Sequence, residues 1–125
     1  MYVAMIRAKL HQARVTSADI NYEGSISIDP HLLDEAGIFP YEKVLVVDIE
    51  NGSRQETYVI PGAPGSGEIG LNGAAARLVS VGDRVIIMAF SYLPLPPPAD
   101  WQPRVLILDE RNAVKAATGP LPRRE

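Results

Sequence analysis

The sequence predicts a single, mainly β domain in which a barrel of strands carries short inserted helices. The chain has 125 residues, enough for one hydrophobic core and too few for two comfortable domains. Short segments of alternating apolar and polar residues follow one another along it, separated by turns rich in Gly, Pro and Asn, and few segments carry helix signals. This combination is typical of mainly β barrels.

The first strand is predicted at residues 3–16, where polar and apolar residues partly alternate. One face of this strand would carry Met5, Arg7, Lys9 and His11, and the other Ile6, Ala8, Leu10 and Gln12. A short strand at 25–29 follows. Asp29 then caps a helix with Pro30 in its first position, acidic residues near its positive end and Gly37 after its last turn.

A hairpin is predicted from the middle of the chain. Residues 44–49 form a strand, Asn51-Gly52 is a dipeptide that tolerates the positive φ of a tight turn, and residues 56–60 return. The Gly- and Pro-rich segment 61–68 is a loop, and a brief strand at 69–71 follows it.

The second half of the chain contains one more short helix. Asn72 is expected to cap a helix over residues 73–79, and a turn at 81–83 leads into the apolar strand 84–90. Residues 93–103 are proline-rich and predict an extended, polyproline-like surface crossing before a last strand at 104–108. The tail after about residue 111 is expected to be flexible.

Composition excludes several classes of function. There are no cysteines, so disulfides, thiolate nucleophiles and thiolate metal sites are absent. A net charge of −3 argues against a nucleic-acid partner, and no apolar run is long enough for a membrane span, so we expect a cytoplasmic protein. His11 and His31 lack the spacing of metal ligands, and His31 is best explained as a surface residue.

Four polar segments stand out without fitting a common catalytic motif: RAKLH at 7–11, NYEGS at 21–25, NGSRQETY at 51–58 and LNGAAA at 71–76. Each alone has an ordinary structural explanation. Lys9 and Arg54 suit solvated strand positions, Tyr58 a barrel wall, and Asn72-Gly73 a cap and turn.

Together, the four segments resemble the pyruvoyl-dependent aspartate 1-decarboxylases. The similarity runs collinearly from about Ala4 to about Phe90 and weakly beyond, through KLHQARVT, ADINYEGSISID, NGSRQETYVI and GSGEIGLNGAAARLVSVGDRVII. The resemblance implies a double-ψ β-barrel, assembled as a homotetramer with active sites between subunits. It also implies an inactive proenzyme that cuts itself between Gly24 and Ser25 into chains 1–24 and 25–125.

The resemblance further implies that Ser25 becomes a covalent pyruvoyl group, with no pyridoxal phosphate and no metal. L-Aspartate would form a Schiff base with this group, lose CO2 and leave as β-alanine for pantothenate biosynthesis. Tyr58 would be the proton donor, and Thr57 would stabilise the oxyanion of cleavage and contact substrate. Because Thr57 and Tyr58 are adjacent, both reach one site only if the strand twists or bulges, or if they serve different steps or subunits.

The remaining site residues follow from the same resemblance. Arg54 is expected to grip the side-chain carboxylate with help from Lys9, because a cation on the departing carboxylate would oppose its loss. Gly24 is expected to permit a strained backbone at the cut. The pocket would be completed by the short segment Gly73, Ala74 and Ala75, and by the supporting residues Asn72, Tyr22 and His11.

Two other functions remain open at this point. One is a pyruvoyl-dependent decarboxylase of another small amino acid, and the other is a non-catalytic barrel that binds a partner, such as a swapped-hairpin transcription factor. The loop at 61–64, the proline-rich segment and the tail depart from the family pattern without touching the processing residues. No feature indicates a maturation factor.

Overall fold

The structure is a computed structural model and describes residues 1–121. It is mainly β, with one short α-helix and one short 3₁₀ helix, as the sequence predicts. The strands are β1 (Tyr2–Arg14), β2 (Ser17–Asp19), β3 (Ser25–Ile28), β4 (Lys43–Asp48), β5 (Arg54–Pro61), β6 (Ile69–Asn72), β7 (Arg84–Pro94), β8 (Arg104–Leu108) and β9 (Val114–Thr118); the helices are α1 (Pro30–Ala36) and the 3₁₀ helix Gly73–Leu78.

The strands form one sheet in the order β2-β6-β3-β5-β4-β7-β1-β8-β9. Three pairs, β1–β8, β2–β6 and β3–β5, are parallel, and the others are antiparallel. This mixture of parallel and antiparallel strand pairs fits the double-ψ β-barrel. One face of the sheet is lined by fully buried apolar side chains and forms the core, including Leu10, Ile26, Val46, Val59, Leu71 and Ile87. We call this the inner face, and the opposite side of the sheet the outer face.

β1 departs from its predicted alternation at two points. The register against β7 shifts between Ile6 and Ala8, so Ile6 lies opposite the exposed Phe90 instead of sharing the inner face, and the prediction for Ile6 is wrong. Ala8 and Leu10 are buried on the inner face, as expected. Gln12 does not continue that face, because it adopts φ 62 and the register against β7 shifts between Leu10 and Ala13. Ala13 therefore becomes the next buried residue, and the prediction for Gln12 is wrong.

The signals predicted for α1 are confirmed at both ends. Asp29 accepts a hydrogen bond from the backbone of His31 at 2.9 Å, and Gly37 closes the helix with φ 73. The expectation of acidic residues in the first turn is wrong, since none lies there. Burial raises the pKa of Asp29, but backbone hydrogen bonds from Gly67, His31 and Gly65 outweigh it and lower that pKa overall. Asp29 thereby ties α1 to the glycine-rich loop.

The predicted hairpin is present as β4 and β5. Gly52 adopts φ 75, while Asn51 does not have positive φ. Only the glycine of the dipeptide therefore adopts the left-handed conformation in this turn. The Asp48 carboxylate accepts hydrogen bonds from the backbone of Glu50 and Asn51 and so fixes the start of the loop. The hairpin holds Arg54 at the first position of β5.

The chain after residue 90 differs most from the prediction. β7 continues to Pro94, so the extended crossing begins later than expected. The indole of Trp101 donates to the carbonyl oxygen of Ile6 at 2.8 Å and fastens this crossing to β1. Val114–Thr118, expected to lie in a flexible tail, forms β9 against β8, and residues 122–125 lie outside the described residues. Among residues 1–121, no helix is long and apolar enough to cross a membrane.

Candidate active site

Ser25 is the first residue of β3 and is almost completely buried, with 1% of its surface exposed. Its hydroxyl oxygen accepts a hydrogen bond from the Asn72 side-chain amide at 3.0 Å. The same hydroxyl donates to the carbonyl oxygen of Glu23 at 3.3 Å. The Ser25 hydroxyl, one residue after Gly24, is thus buried and held by two hydrogen bonds.

Asn72 does not cap the 3₁₀ helix, and this prediction is wrong. Its side chain makes no cap hydrogen bond. Its amide nitrogen is instead within 3.0 Å of the hydroxyl oxygens of both Ser25 and Ser27. Register explains the difference, because Asn72 lies directly opposite Ser25 in the β3–β6 ladder, where cross-strand side chains meet.

Gly73 lies against the backbone of the predicted cleavage site. A Cβ atom at Gly73 would be 2.6 Å from the carbonyl oxygen of Tyr22, 2.7 Å from the nitrogen of Gly24 and 2.8 Å from its Cα. Gly73 also adopts φ 65, which favours glycine. Residue 73 must therefore be glycine for the segment before Ser25 to lie where it does.

Gly24 itself does not have the strained backbone that the sequence predicts. It is not among the residues with positive φ, and a Cβ atom there would have no neighbour within 4 Å. The residue at this site whose backbone conformation requires glycine is Gly73.

The small residues after Asn72 differ in their exposure. Ala75 is buried and Ala74 is exposed. The Gln55 side chain donates to the carbonyl oxygen of Ala75 at 3.0 Å and so holds the 3₁₀ helix against β5. Tyr22 has an exposed side chain, and its carbonyl oxygen is the atom closest to Gly73.

The side chains of Thr57 and Tyr58 lie on opposite faces of β5, because side chains alternate along a strand. The strand pairs with β4 in unbroken register from Arg54 to Tyr58, so no bulge brings the two side chains to one face. Gln55, Thr57 and Val59 therefore face the core side. Arg54 and Tyr58 face the outer side.

The register between β3 and β5 brings the predicted catalytic residues side by side. Ile26 pairs with Val59 in parallel register. Continuing this register back by one residue, to the first residue of β3, places Tyr58 beside Ser25 on the outer face. Tyr58 is thus a cross-strand neighbour of Ser25, and Thr57 precedes it on β5 with its side chain on the opposite face.

Lys9 shares the outer face with Tyr58, but at a distance. A cross-strand row runs from Glu56 on β5 through Leu45 and Met88 to Lys9 on β1. Residues directly opposite each other in a ladder point to the same side, so all four are on the outer face. Three strands lie between β1 and β3, which separates Lys9 from Ser25 by about 19 Å along the sheet.

Arg54 also lies apart from Ser25 along the strands of its own chain. It precedes Tyr58 by four residues on one strand, which corresponds to about 13 Å. Its side chain is exposed. One chain therefore brings together Ser25, Asn72, Gly73, Thr57 and Tyr58, whereas it holds Lys9 and Arg54 elsewhere on the same outer face.

His11 is coupled to Lys9, as their shared strand face predicts. Burial lowers the pKa of His11 below its usual value, and the Lys9 ammonium lowers it further. Nδ1 of His11 is buried with no hydrogen-bond partner in the described part of the chain. Burial and the neighbouring ammonium therefore both favour the neutral form of the His11 imidazole.

Sequence analysis missed two residues of this site. Ser27 shares the Asn72 amide with Ser25, and Gln55 positions the 3₁₀ helix. The signal for Ser27 was the S-x-S alternation itself, which puts residues 25 and 27 on one strand face. No local signal identifies Gln55, because its partner lies 20 residues away.

Comparison with known proteins gives a consistent result. Residues 1–115 match the family model described as aspartate decarboxylase. The aspartate 1-decarboxylase of Carboxydothermus hydrogenoformans is 54% identical over 114 residues, covering 91% of this chain and 90% of that protein. The aspartate 1-decarboxylase of Bacillus subtilis is 48% identical over 124 residues, covering 99% and 98%. That of Salinibacter ruber is 54% identical, covering 91% of this chain and 78% of that protein.

Proposed function

The chain belongs to the aspartate decarboxylase family and is a carboxy-lyase that converts L-aspartate to β-alanine and CO2, and we propose that it does so through a pyruvoyl group made from its own Ser25. The observation that carries the proposal is the buried Ser25 hydroxyl held by Asn72, with Gly73 pressed against the preceding residues. A pyruvoyl group is smaller than the serine it replaces, so it fits the space that the Ser25 side chain already occupies.

Self-cleavage begins at the bond between Gly24 and Ser25. The Ser25 hydroxyl oxygen attacks the Gly24 carbonyl carbon through a five-membered ring, the carbon–nitrogen bond breaks, and the hydroxyl proton passes to the nitrogen. Loss of the Ser25 α-proton then breaks the bond between Cβ and the ester oxygen. Gly24 leaves as a carboxylate with that oxygen, and a dehydroalanine remains. Addition of one water and loss of one ammonia give the pyruvoyl group.

Thr57 is the donor that we propose for the oxyanion of this cleavage. Its side chain is on the inner face of β5, one residue before Tyr58, the neighbour of Ser25 when the register of β3 and β5 is continued by one residue. A hydrogen-bond donor aimed at the developing negative charge lowers such a barrier by roughly 3–4 kcal/mol. Thr57 and Tyr58 can then serve different steps, because their side chains lie on opposite faces of β5.

Gly73→Ala is expected to slow self-cleavage by at least about tenfold. The new Cβ would overlap the Gly24 backbone, and φ 65 costs a non-glycine residue about 1–2 kcal/mol. Intact-mass measurements over time give the rate. Gly82→Ala is a matched control, because Gly82 adopts φ 93 but has nothing within 4 Å of its Cβ position. Equal cleavage rates in the two variants would contradict the role of Gly73.

Decarboxylation needs an electron sink, which the pyruvoyl carbonyl supplies for the electron pair left by CO2. The remaining work falls to side chains of this protein. Tyr58, beside residue 25 on the outer face, returns a proton to the α-carbon. Arg54 binds the side-chain carboxylate of aspartate through its planar guanidinium, and Lys9 adds a second positive charge. Gly73, Ala74 and Ala75 keep the pocket short.

The separation of Lys9 and Arg54 from Ser25 supports active sites between subunits. Each chain presents these two cations on its outer face but holds its own Ser25 about 13–19 Å away along the sheet. A neighbouring copy that docks this face against the Ser25 region would complete the site. We therefore propose a homotetramer that works in the cytoplasm and supplies β-alanine for pantothenate biosynthesis.

The experiment that tests the proposed function is an intact-mass measurement on purified protein together with an assay for β-alanine. We expect two chains, 1–24 and 25–125, the second lighter than a serine-headed fragment by one ammonia. A chain that stays whole on prolonged warming and forms no β-alanine would refute the pyruvoyl mechanism. An amino-acid panel in the same assay tests the preference for aspartate over other small amino acids.

A further inference from the structure

Ser27 is a buried polar residue that the proposed mechanism does not use. It lies two residues after Ser25 on β3, so both side chains are on the outer face. Only 8% of its surface is exposed. A buried hydroxyl has to be hydrogen-bonded to avoid a cost in stability, and the partner of Ser27 is Asn72.

The Asn72 amide has two hydrogens, and each is directed at one serine. Nδ2 is 3.0 Å from the hydroxyl oxygen of Ser25 and 3.0 Å from that of Ser27. A side-chain amide is planar, with its donor and acceptor on opposite sides. When Ser27 binds one hydrogen, the other hydrogen is directed at Ser25 and the amide oxygen is directed away from it.

The residue opposite Ser27 makes this contact possible. Ser27 pairs with Gly70 in the β3–β6 ladder, and Gly70 has no side chain to fill the space. A Cβ atom at Gly70 would be 2.5 Å from the Ser17 hydroxyl, so a larger residue would not fit there. The Asn72 side chain can therefore extend along β6 and reach both serines.

We propose that Ser27 is a positioning residue that orients Asn72 for the self-cleavage of the chain and for the later reaction with aspartate. The proposal rests on the proposed function, because it concerns the nucleophile of that cleavage. With the Asn72 hydrogen on the Ser25 oxygen, negative charge is stabilised as the hydroxyl proton leaves. The Ser25 hydroxyl donates its own hydrogen to the Glu23 carbonyl oxygen, which leaves a lone pair for the attack.

Ser27 keeps this role after cleavage. The Ser25 oxygen leaves with Gly24, so one Asn72 hydrogen loses its partner. The Ser27 bond to the other hydrogen is unchanged, and it keeps the free hydrogen aimed at residue 25. Asn72 can then donate to a polar atom of the catalytic group or of the bound substrate.

The first test compares Ser27→Ala with Ser27→Thr by intact mass over time. We expect Ser27→Ala to cleave about 5–10 times more slowly than the natural chain, the size of effect that a lost neutral hydrogen bond gives. The cleaved Ser27→Ala enzyme should also show a lower kcat for aspartate with little change in KM. Ser27→Thr, which keeps a hydroxyl, should restore most of both rates. A purely structural role would not produce rescue by threonine together with a selective loss of kcat.

The outcomes of this test are distinct. If the natural chain cleaves and Ser27→Ala cleaves at the same rate, the role of Ser27 is refuted and the proposed function stands. If the natural chain does not cleave at all, both are refuted. Ser91→Ala serves as a control for a serine on β7, remote from Ser25 in the strand order.

A second test does not depend on cleavage. In the uncleavable variant Ser25→Ala, we expect the Asn72 side-chain amide hydrogens to exchange slowly with solvent in NMR spectra, because one of them is bound to Ser27. Adding Ser27→Ala should accelerate that exchange by about tenfold or more, and adding Ser27→Thr should not. Identical exchange rates in Ser25→Ala and in the double variant Ser25→Ala/Ser27→Ala would refute the proposal, whatever the cleavage rates show.

Discussion

Ser25→Ala is expected to leave the chain whole and without decarboxylase activity. Alanine has no hydroxyl to attack the Gly24 carbonyl carbon, so neither the ester nor the pyruvoyl group can form. The backbone should be undisturbed, because alanine suits a buried position opposite Asn72 on β3. Intact mass should therefore give a single chain of 125 residues, and β-alanine formation should fall to the background rate.

A matched control separates this chemical effect from a folding effect. Ser91→Ala makes the same substitution on β7 and should cleave and turn over aspartate like the natural chain. The melting temperatures of the two variants should be similar. Cleavage of Ser25→Ala between residues 24 and 25, or β-alanine formation by the uncut chain, would show that another residue supplies the nucleophile or the electron sink.

Arg54→Ala is expected to cleave normally and then to fail with aspartate. Arg54 lies about 13 Å from Tyr58 along β5, so it does not take part in the cleavage of its own chain. Loss of a charged, two-pronged hydrogen bond to a carboxylate should lower kcat/KM for aspartate about 100-fold. The kcat/KM of Arg54→Lys should lie between those of the natural chain and Arg54→Ala, because lysine keeps the charge but not the planar fork. Arg77→Ala, at an exposed arginine of the 3₁₀ helix, is the control.

Substrate choice distinguishes which carboxylate Arg54 holds. If it binds the side-chain carboxylate, the variant should lose its preference for aspartate over asparagine, because asparagine lacks that charge. If Arg54→Ala retains normal kcat/KM for aspartate, the assignment is wrong. If it loses activity but keeps the same preference for aspartate over asparagine, Arg54 binds the α-carboxylate instead.

The same two variants test whether the site lies between subunits. An Arg54→Ala chain has an intact Ser25, and a Ser25→Ala chain has an intact Arg54. The two variants are unfolded, mixed and reassembled together. If the site is shared, activity should return at interfaces that combine Ser25 of the first chain with Arg54 of the second. Recovery is expected because Arg54 and Ser25 are separated within one chain. No recovery in assemblies shown to contain both chains would place both residues in the same subunit's site.

Local elements with their own start and stop signals were predicted correctly from the sequence. α1 is an example, because Asp29, Pro30 and Gly37 act on neighbouring backbone atoms and need no partner from elsewhere in the chain. The alternation of β1 was predicted correctly from Ala8 to Leu10, and it failed at the two bulges, between Ile6 and Ala8 and again at Gln12. A bulge is decided by the register against β7, which no local pattern encodes.

The predicted site residues were grouped by family resemblance, and the structure shows how they are arranged. The resemblance pointed to Asn72, Thr57 and Tyr58 but could not give their orientation. Strand pairing does, because a shift of one residue in register would move every side chain to the other face. Strand pairing likewise formed β9 from a segment expected to be flexible, because this segment hydrogen-bonds to the edge of β8.

The sequence by itself predicted a small β-barrel, and its family resemblance grouped the Gly24-Ser25 bond with the polar residues of the candidate site. It also determined both ends of α1 and most of the buried strand faces, because these depend on neighbours within a few residues. Only the tertiary structure decided that Asn72 holds the Ser25 hydroxyl and that Gly73, not Gly24, has the demanding backbone. These contacts join residues 47 or more positions apart, and their geometry exists only once the strands have paired.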